Sequence, residues 1–446
     1  MKSIYSIFLV TGVFSLLYSF SNLNAFCGFY VAKADAKLFN KASKVVLVRN
    51  GNRTVIGMMN DYQGELKNFA VVIPVPTVLK KKQIHIGEGK VFEHLDAYTA
   101  PRLVEYFDPD PCQPPFEEEK SVMYDMSPAN GSSGSSRKKD SLGVKVEASY
   151  TVGEYDIQIL SAKYSSGLEV WLKENGYKIP QGASKALKPY IKQNMKFFVA
   201  KVNLSEQKAT GLNYLRPLQF AFESEKFMLP IRLGMINANG PQELIVYVLT
   251  KEGRVEASNY RTIQIPSNME VPEYIQNEFG SFYTSLFTNQ TQKEGMRVVF
   301  TEYFWNMGWC DPCAADPLTK DELKSLGVFW VNDNSNSGSP QVMVTRLHLM
   351  YKNSTFPEDL MFQETRDTQN FQGRYVIQHP WKGNPNQCSA AGSYFKELKQ
   401  RQESRAQNVS RLTGWDINQI RGKMNLNSKE NFQNPEEKSW WKKVWD

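Results

Sequence analysis

The first 25 residues form a hydrophobic leader, which constrains where the rest of the chain can fold. Lys2 precedes an uncharged, largely apolar run over residues 4–20, and Ala25 offers a small residue at a cleavage point. This three-part layout is typical of a secretory signal peptide. We therefore expect cleavage after Ala25 and a mature chain that begins at Phe26, in the periplasm or outside the cell.

Two other fates of the leader are weighed against cleavage. The apolar run approaches the length that spans a bilayer, which is the argument for a retained membrane anchor. Ser residues dilute the run, however, and no stop-transfer cluster of charges follows it. A lipid-modified Cys27 would need a small residue before it, and Phe26 stands there. Cleavage fits the sequence best.

Size and composition indicate a globular protein of more than one domain. About 420 residues remain after cleavage, enough for two or three domains. Hydrophobic residues make up 41% of the chain and aromatic residues 13%, so sizeable cores can form. The net charge is +7, but the basic residues are spread along the chain. Without a nucleic-acid motif, and with an export signal, a nucleic-acid-binding class is excluded.

The cysteines are too few for a small disulfide-dense scaffold. In an oxidising compartment, five cysteines allow two disulfides and one free thiol. The sequence leaves their pairing open. The five disulfide or redox candidates are Cys27, Cys112, Cys310, Cys313 and Cys388.

Changes in composition divide the mature chain into four segments. Residues 26–112 and 141–270 carry strand and helix patterns and are predicted to be α+β blocks. Residues 113–140 are rich in Pro, Glu, Gly and Ser, which predicts a flexible linker or an inserted loop. Residues 271–446 are predicted to be helix-rich. The expected fold class is α+β, with antiparallel sheets and packed helices in two or three domains.

Several local patterns make testable structural predictions. Asn50-Gly51 between two apolar runs predicts a β-hairpin. Apolar residues over 274–306 predict two helices divided near 290–295, and Pro101 is predicted to start a further helical turn. Residues 243–250 are predicted to pair across a tight turn with 254–265.

A short and a long helix complete the predictions for the C-terminal block. Thr319 precedes Asp321 and Glu322, a pattern typical of the start of a helix. Residues 393–413 predict a long exposed helix that ends at Gly414, because Gly readily adopts the backbone conformation found just after a helix.

Segments along nearly the whole mature chain resemble one bacterial protein family. The sequence is similar to domain-of-unknown-function family 2330, a family of exported bacterial proteins. That resemblance implies a bacterial origin and export, and it implies no reaction, cofactor or catalytic residue. The segments that carry it are FCGFYVAKA at 26–34, NDYQG at 60–64, PVP at 74–76, HLDAYTAPRLVEYF at 94–107, WCDPC at 309–313 and NFQGRY at 370–375.

The sharpest chemical motif is the Cys-x-x-Cys pair Cys310 and Cys313. Such a pair can exchange disulfides when one thiol has a lowered pKa. A thioredoxin-like centre places the pair after a strand, whereas here an aromatic run with helical character precedes it. A structural disulfide, within the motif or to Cys388, is the simpler interpretation. His348 and His379 are weak metal candidates, because zinc needs three or four ligands and no second close pair exists.

The C-terminal tail offers a second interaction candidate. Trp440, Trp441 and Trp445 surround two lysines, a composition suited to a membrane surface or a partner groove. Packing onto the protein body or disorder explains the tail equally well. No nucleophile elbow, phosphate-binding loop or metal motif is found, and no cofactor is expected.

The sequence therefore predicts an exported bacterial envelope or extracellular protein of unknown molecular function. Its favoured role is non-enzymatic: binding of a protein or an envelope polymer, or a structural role, with weak contact to a membrane surface as a further option. The alternatives are a thiol-disulfide oxidoreductase that uses Cys310 and Cys313, and a hydrolase with an unrecognised site. The sequence leaves open the ligand, the oligomeric state and the biological process.

Overall fold

The computed structural model describes most of the chain after residue 28. The described residues are 29–32, 39–40, 43–59, 62–63, 69–113, 144–177, 182–210, 215–237, 240–309, 316–331 and 341–426. They form an α+β fold, as predicted, in which most strand pairs are antiparallel and some are parallel. No helix in this part of the chain is long and apolar enough to cross a membrane.

The described residues contain 22 strands. Their bounds are β1 Phe29–Ala32, β2 Phe39–Asn40, β3 Ser43–Asn50, β4 Arg53–Met59, β5 Tyr62–Gln63, β6 Phe69–Val75, β7 Ile84–Ile86, β8 Arg102–Phe107, β9 Val144–Val152, β10 Tyr155–Ala162, β11 Lys196–Val202, β12 Leu218–Glu223, β13 Met228–Leu229, β14 Gln242–Thr250, β15 Val255–Ala257, β16 Arg261–Gln264, β17 Met269–Glu270, β18 Val298–Asn306, β19 Met343–Tyr351, β20 Leu360–Glu364, β21 Phe371–Gln372 and β22 Arg374–His379.

Eight α-helices and two short 3₁₀ helices accompany the strands in the same residues. The α-helices are α1 Gly89–Thr99, α2 Ser165–Glu174, α3 Ala183–Lys192, α4 Leu204–Ala209, α5 Ile275–Lys293, α6 Lys320–Ser325, α7 Ser389–Thr413 and α8 Ile417–Lys423. The 3₁₀ helices are Lys81–Gln83 and Gly234–Asn237. Four of the eight α-helices, α5 to α8, lie in the C-terminal segment, as predicted.

Two large sheets pack face to face. The first has the strand order β1-β6-β11-β10-β9. The second has the order β16-β18-β19-β14-β3-β4-β12-β7, with β21 paired to β18 as its ninth strand. One apolar cluster draws on both sheets, with Ile157 and Phe198 from the first and Leu47 and Val246 from the second. Because strand side chains alternate between faces, each sheet has a second face to cover.

Helices cover the outer faces of the two sheets. Residues of α2 and α3 form an apolar cluster with the five-stranded sheet. On the nine-stranded sheet, α1 and α6 cover one apolar cluster, while α5, α7 and α8 cover a second. The molecule is therefore layered as helices, sheet, sheet and helices, with three apolar layers between them.

Small sheets complete the fold. Strands β17-β22-β8 form a three-stranded parallel sheet, β13-β20-β15 form another three-stranded sheet, and β2-β5 form a pair. A disulfide of Cys112 and Cys388 joins the loop after β8 to the residue before α7. It covalently links two segments that are 276 positions apart in the sequence.

Two local predictions are confirmed in detail. Strands β3 and β4 form the expected hairpin, with Asn50 opposite Arg53 and Gly51 at φ +57° in the turn. The long helix α7 ends before Gly414, which adopts φ +76°. Both glycines occupy left-handed backbone positions that side chains disfavour, which is why the sequence signal was specific.

Three local predictions are wrong. The second helix predicted before residue 306 is strand β18 instead. The residues of β18 are buried on both faces of the sheet, so the sequence is a continuous apolar run without the polar–apolar alternation by which a strand is recognised. The turn after Pro101 belongs to strand β8, which pairs in parallel with β22. Strand β14 pairs with β19 and β3 rather than with residues 254–265, because long-range pairing outweighs the local turn.

The predicted segments share their sheets. The nine-stranded sheet takes strands from 26–112, 141–270 and 271–446, and the five-stranded sheet takes strands from the first two of these. The division into domains therefore stays a prediction about independent folding, and neither of the two large sheets follows its boundaries. The predicted signal peptide and most of the predicted linker, residues 114–140, lie outside the described residues.

Candidate functional site

The nine-stranded sheet carries a buried network of ionic groups on its helix-covered face. At its centre is Glu302, whose side chain is completely buried. Arg346 Nε donates to one Glu302 oxygen at 2.6 Å, and His348 Nδ1 lies 2.5 Å from the other. The Tyr283 hydroxyl also donates to this carboxylate. A buried charge is tolerated only with such partners, so these residues must be ordered together.

A second carboxylate extends the network toward solvent. Asp96 accepts hydrogen bonds from Arg346 at 2.5 Å, Tyr247 at 2.6 Å and Lys44 at 2.5 Å. On the opposite side, His348 Nε2 lies 3.0 Å from Glu243. The side chains of Lys44, Asp96 and Glu243 are each about a quarter to a third exposed. The network thus crosses the covered face and reaches solvent at both ends.

Glu302 lies at a β-bulge in β18. Thr301 pairs with Leu347 and Tyr303 pairs with Arg346, so Glu302 is an additional residue in β18 without its own partner in β19. Phe300, two positions earlier, packs in a helix-covered cluster, so the alternation of faces places Glu302 on that side, and the extra residue brings Tyr303 there as well. The carboxylate therefore lies on the same face as the cations of β19.

Opposite charges dominate the ionisation of the network. Burial alone would raise the pKa of Glu302, but His348 and Arg346 outweigh it and lower this pKa to about 2. Burial alone would lower the pKa of His348, but Glu302 and Glu243 outweigh it and raise this pKa to about 9. Arg346 and Lys44 likewise hold the pKa of Asp96 below its usual value against the effect of burial. Glu302, Asp96, Arg346 and His348 are therefore charged at neutral pH.

The network binds helices to the sheet, and its contacts leave little room for catalysis. Asp96 belongs to α1 and Tyr283 to α5, whereas Arg346 and His348 belong to β19. Both nitrogens of His348 face carboxylates, and its ring stacks on Phe287 at 3.6 Å. The arrangement is that of a structural ionic cluster rather than an open site for a substrate.

A groove of about 1060 Å³ opens on the same face, near the edge of the sheet. Strands β4 and β12 form its floor, and it is bounded on one side by the segment from Thr77 to His85 and on the other by the end of α6. Its lining includes the cationic residues Arg53, Lys80, Lys82 and Lys324. Glu223 is the only acidic residue among the described lining residues. The groove therefore has an excess of positive charge.

Two glutamines fix the walls of this groove to the same strand. Gln83 accepts from the Lys80 N–H at 2.9 Å and donates to the Ala221 carbonyl of β12 at 2.8 Å. Gln219 of β12 donates to the Ser325 carbonyl at the end of α6 at 3.0 Å. The two bonds to carbonyl oxygens are partly buried, and they hold the walls in place before any ligand arrives.

The α6 wall starts and ends with well-defined local structure. Glu322 N–H donates to the Thr319 hydroxyl at 3.2 Å, and the Thr319 N–H donates to the Glu322 carboxylate at 2.8 Å, which confirms the predicted cap. After the helix, Gly327 has φ +94°, and a Cβ there would lie 2.7 Å from a Val55 methyl carbon. Because Gly327 has no side chain, the segment after α6 can pack directly against Val55 of β4 on the floor of the groove.

A smaller cavity of about 280 Å³ lies against Ile56 of β4 and Phe222 of β12. These two residues, Met195 and several prolines make its lining mainly apolar. Its titratable lining residues, Glu225 and Lys226, are both exposed, so neither has the burial that tunes a catalytic group. The large groove is the better candidate for binding.

The structure pairs two of the five cysteine candidates. Cys112 and Cys388 form the disulfide described above. The predicted alternative of a bridge from Cys388 to the Cys310–Cys313 motif is therefore wrong. Cys27, Cys310 and Cys313 lie outside the described residues, and so do Trp440, Trp441 and Trp445. The redox and tail hypotheses stay predictions.

The two histidine candidates lie in different sheets. His348 belongs to β19, and His379 belongs to β22, where its Nε2 lies 2.7 Å from Glu105. The His379 ring also stacks on Phe107. No group of three or more His, Cys, Asp or Glu side chains suited to a metal occurs among the residues that the structure describes. The observed partners are carboxylates rather than a shared ligand set.

Sequence reasoning missed both the ionic network and the groove. The network had a signal: Glu302, Arg346 and His348 interrupt otherwise apolar strands, and buried charges require partners. The groove had a partial signal in the run Lys80-Lys81-Lys82, but its floor and opposite wall come from distant segments that meet these lysines only in the folded sheet.

Comparison with known proteins identifies the family and no function. The sequence model of domain-of-unknown-function family 2330, described as an uncharacterised protein conserved in bacteria, matches residues 21–363. No curated protein and no solved structure matches the chain. The match covers well over half of the sequence, so this chain belongs to domain-of-unknown-function family 2330.

Proposed function

We propose that this protein is exported and acts at the bacterial envelope by binding, through the basic groove, rather than by catalysis. The observation that carries this proposal is the groove itself, with four cationic residues and one carboxylate in its described lining. Rigid walls and an open cleft suit recognition of an extended partner.

The charges in the groove favour binding over hydrolysis. Acid–base catalysis needs two titratable groups that converge on one reacting atom. Glu223 is the single carboxylate of the described lining, and it already lies 3.2 Å from Arg53. Both side chains are about two-thirds exposed, so neither has the burial that tunes a catalytic group.

Export is supported by the disulfide and by the leader. Disulfides persist in oxidising compartments and are rare in the bacterial cytoplasm. The Cys112–Cys388 bond joins two segments that are 276 positions apart in the sequence, which fits folding outside the cytoplasm.

Fractionation of the producing bacterium tests the proposal. We expect the protein in the periplasmic, envelope or secreted fraction, with an N-terminus at Phe26. A cytoplasmic protein that keeps residues 4–20 would contradict export. Saturable retention on isolated envelopes tests binding separately from location.

A further inference from the structure

We infer that the basic groove binds a linear polymer that carries repeated phosphate groups. The inference rests on the proposed binding function and goes further by naming the ligand class. It is carried by the charges, the shape and the internal hydrogen bonds of the groove.

The groove charges select an anion. Lys80 and Lys82 are exposed on one wall, and Lys324 is half-buried on the other. Cations therefore face the groove from both sides, with Arg53 on its floor. The electrostatic potentials of like charges add up in a cleft with low-dielectric walls, and this raises the local concentration of ligands with the opposite charge.

The kind of cation suits phosphate. Lysine ammonium groups bind phosphate oxygens as point charges from several directions, whereas an arginine fork matches a carboxylate or a phosphate in two parallel hydrogen bonds. Arg53 is already paired with Glu223. Lys80 and Lys82 on one wall provide most of the attraction, and Lys324 on the opposite wall adds to the positive charge.

The shape favours a polymer over a membrane surface or a small anion. A volume of about 1060 Å³ is larger than a single phosphate fills, and the cleft is open to solvent. A planar lipid surface would contact only the rims of such a concave site. A chain with a charge on each unit can lie along the floor and meet both walls.

Fixed walls lower the cost of binding. Gln83 and Gln219 join the two walls to β12, so the lysine backbones keep their separation in the free protein. Less ordering is then needed when the polymer binds. Exposed Phe329, 42% accessible, adds an apolar surface beside the charges.

A substitution in the Arg53–Glu223 pair should strengthen binding, which gives a second test of the inference. Because both side chains are largely exposed, the pair contributes little to stability. Glu223→Gln removes the carboxylate that repels a polyanion and releases Arg53. We expect binding to strengthen by about twofold.

The experiment uses purified mature protein and inorganic polyphosphate of defined length, with binding measured by titration calorimetry at low salt. We expect the double variant Lys80→Gln/Lys82→Gln to bind about fivefold more weakly or worse, since two exposed charge contacts to the polymer are lost. The matched control is Lys185→Gln/Lys188→Gln, which removes two exposed charges from α3. It should bind like the wild type. Glu174→Gln on α2 is the matched control for Glu223→Gln.

Further probes assign the ligand class. Neutral dextran should not bind, and polygalacturonate of matched charge should bind more weakly than polyphosphate. Equal binding of polygalacturonate, or preference for anionic lipid vesicles, would overturn the phosphate assignment. If the Lys80→Gln/Lys82→Gln and Lys185→Gln/Lys188→Gln variants lose affinity equally, the groove is not the binding site. If the protein binds isolated envelopes saturably but does not bind polyphosphate, the proposed binding function is supported and the inference of a phosphate polymer is wrong.

Discussion

Glu302 and His348 share a hydrogen bond of 2.5 Å inside the layer between the nine-stranded sheet and its helices. The histidine ring lies flat against Phe287, with 3.6 Å between ring centres. A carboxylate and an imidazolium are thus held together where neither could remain charged alone. This pair connects strands β18 and β19 with helix α5.

The ionic network should be essential for stability. Glu302→Gln keeps the shape but removes the charge that faces Arg346 and His348, so two buried cations lose a partner. We expect a loss of about 3–5 kcal/mol in the free energy of unfolding. The matched control is Glu278→Gln, whose exposed pair with Lys423 should contribute less than about 1 kcal/mol. Urea denaturation of both variants checks this, and equal losses would contradict the account.

Stability should fall at both extremes of pH. The pKa of His348 is raised to about 9, so its contribution is complete below about pH 6.5 and is lost as the pH rises through 9. The pKa of Glu302 is lowered to about 2, so its contribution is present above about pH 4.5 and is lost as the pH falls toward 2. Unfolding measured across this range should give a broad maximum.

One substitution tests whether His348 causes the predicted loss of stability at alkaline pH. His348→Gln should lower stability at neutral pH and flatten its dependence between about pH 7 and 9. The exposed His85 provides a control, and His85→Gln should keep the wild-type slope. An unchanged alkaline slope in His348→Gln would show that another group is responsible.

The disulfide connectivity should be Cys112 to Cys388 in the native protein. Closing so long a loop restricts the unfolded chain, and its removal typically costs on the order of 2–5 kcal/mol. Peptide mapping without reduction should find these two cysteines in one linked peptide, and Cys112→Ser/Cys388→Ser should melt at a lower temperature. A peptide that links Cys388 to Cys310 or Cys313 would refute the pairing.

Gly327 should be intolerant of any side chain. A Cβ there would approach Val55 to 2.7 Å, and the backbone has φ +94°. Gly295 provides the control, because its φ is +62° and nothing lies within 4 Å of its Cβ position. Gly295→Ala should cost about 1–2 kcal/mol from backbone strain, and Gly327→Ala should cost clearly more. Adding Val55→Ala should recover part of that difference; no recovery would exclude the contact as its cause.

The sequence was most informative where a local signal decides the structure. The Asn50-Gly51 turn, the cap at Thr319 and the end of α7 at Gly414 each depend on a few neighbouring residues. Strand β18 lacks such a signal, because burial on both faces removes the period that separates a strand from a helix.

The candidate site depends on contacts that the sequence does not encode locally. Lys80 and Lys324 face one groove because β4, β7 and β12 pair and α6 packs on them. Asp96 meets Arg346 across 250 positions. Individual charges within apolar strands can be recognised in the sequence, but their partners follow only from the strand order of the sheet.

Binding of the purified mature protein to isolated bacterial envelopes tests the central claim most directly. We predict saturable binding that weakens strongly as salt rises from about 0.1 M to about 1 M, since exposed charges are then screened over about 3 Å. Lys80→Gln/Lys82→Gln should reduce this binding, and Lys185→Gln/Lys188→Gln should leave it unchanged. Binding that is equal in all three proteins, or no saturable binding by the wild type, would contradict the account.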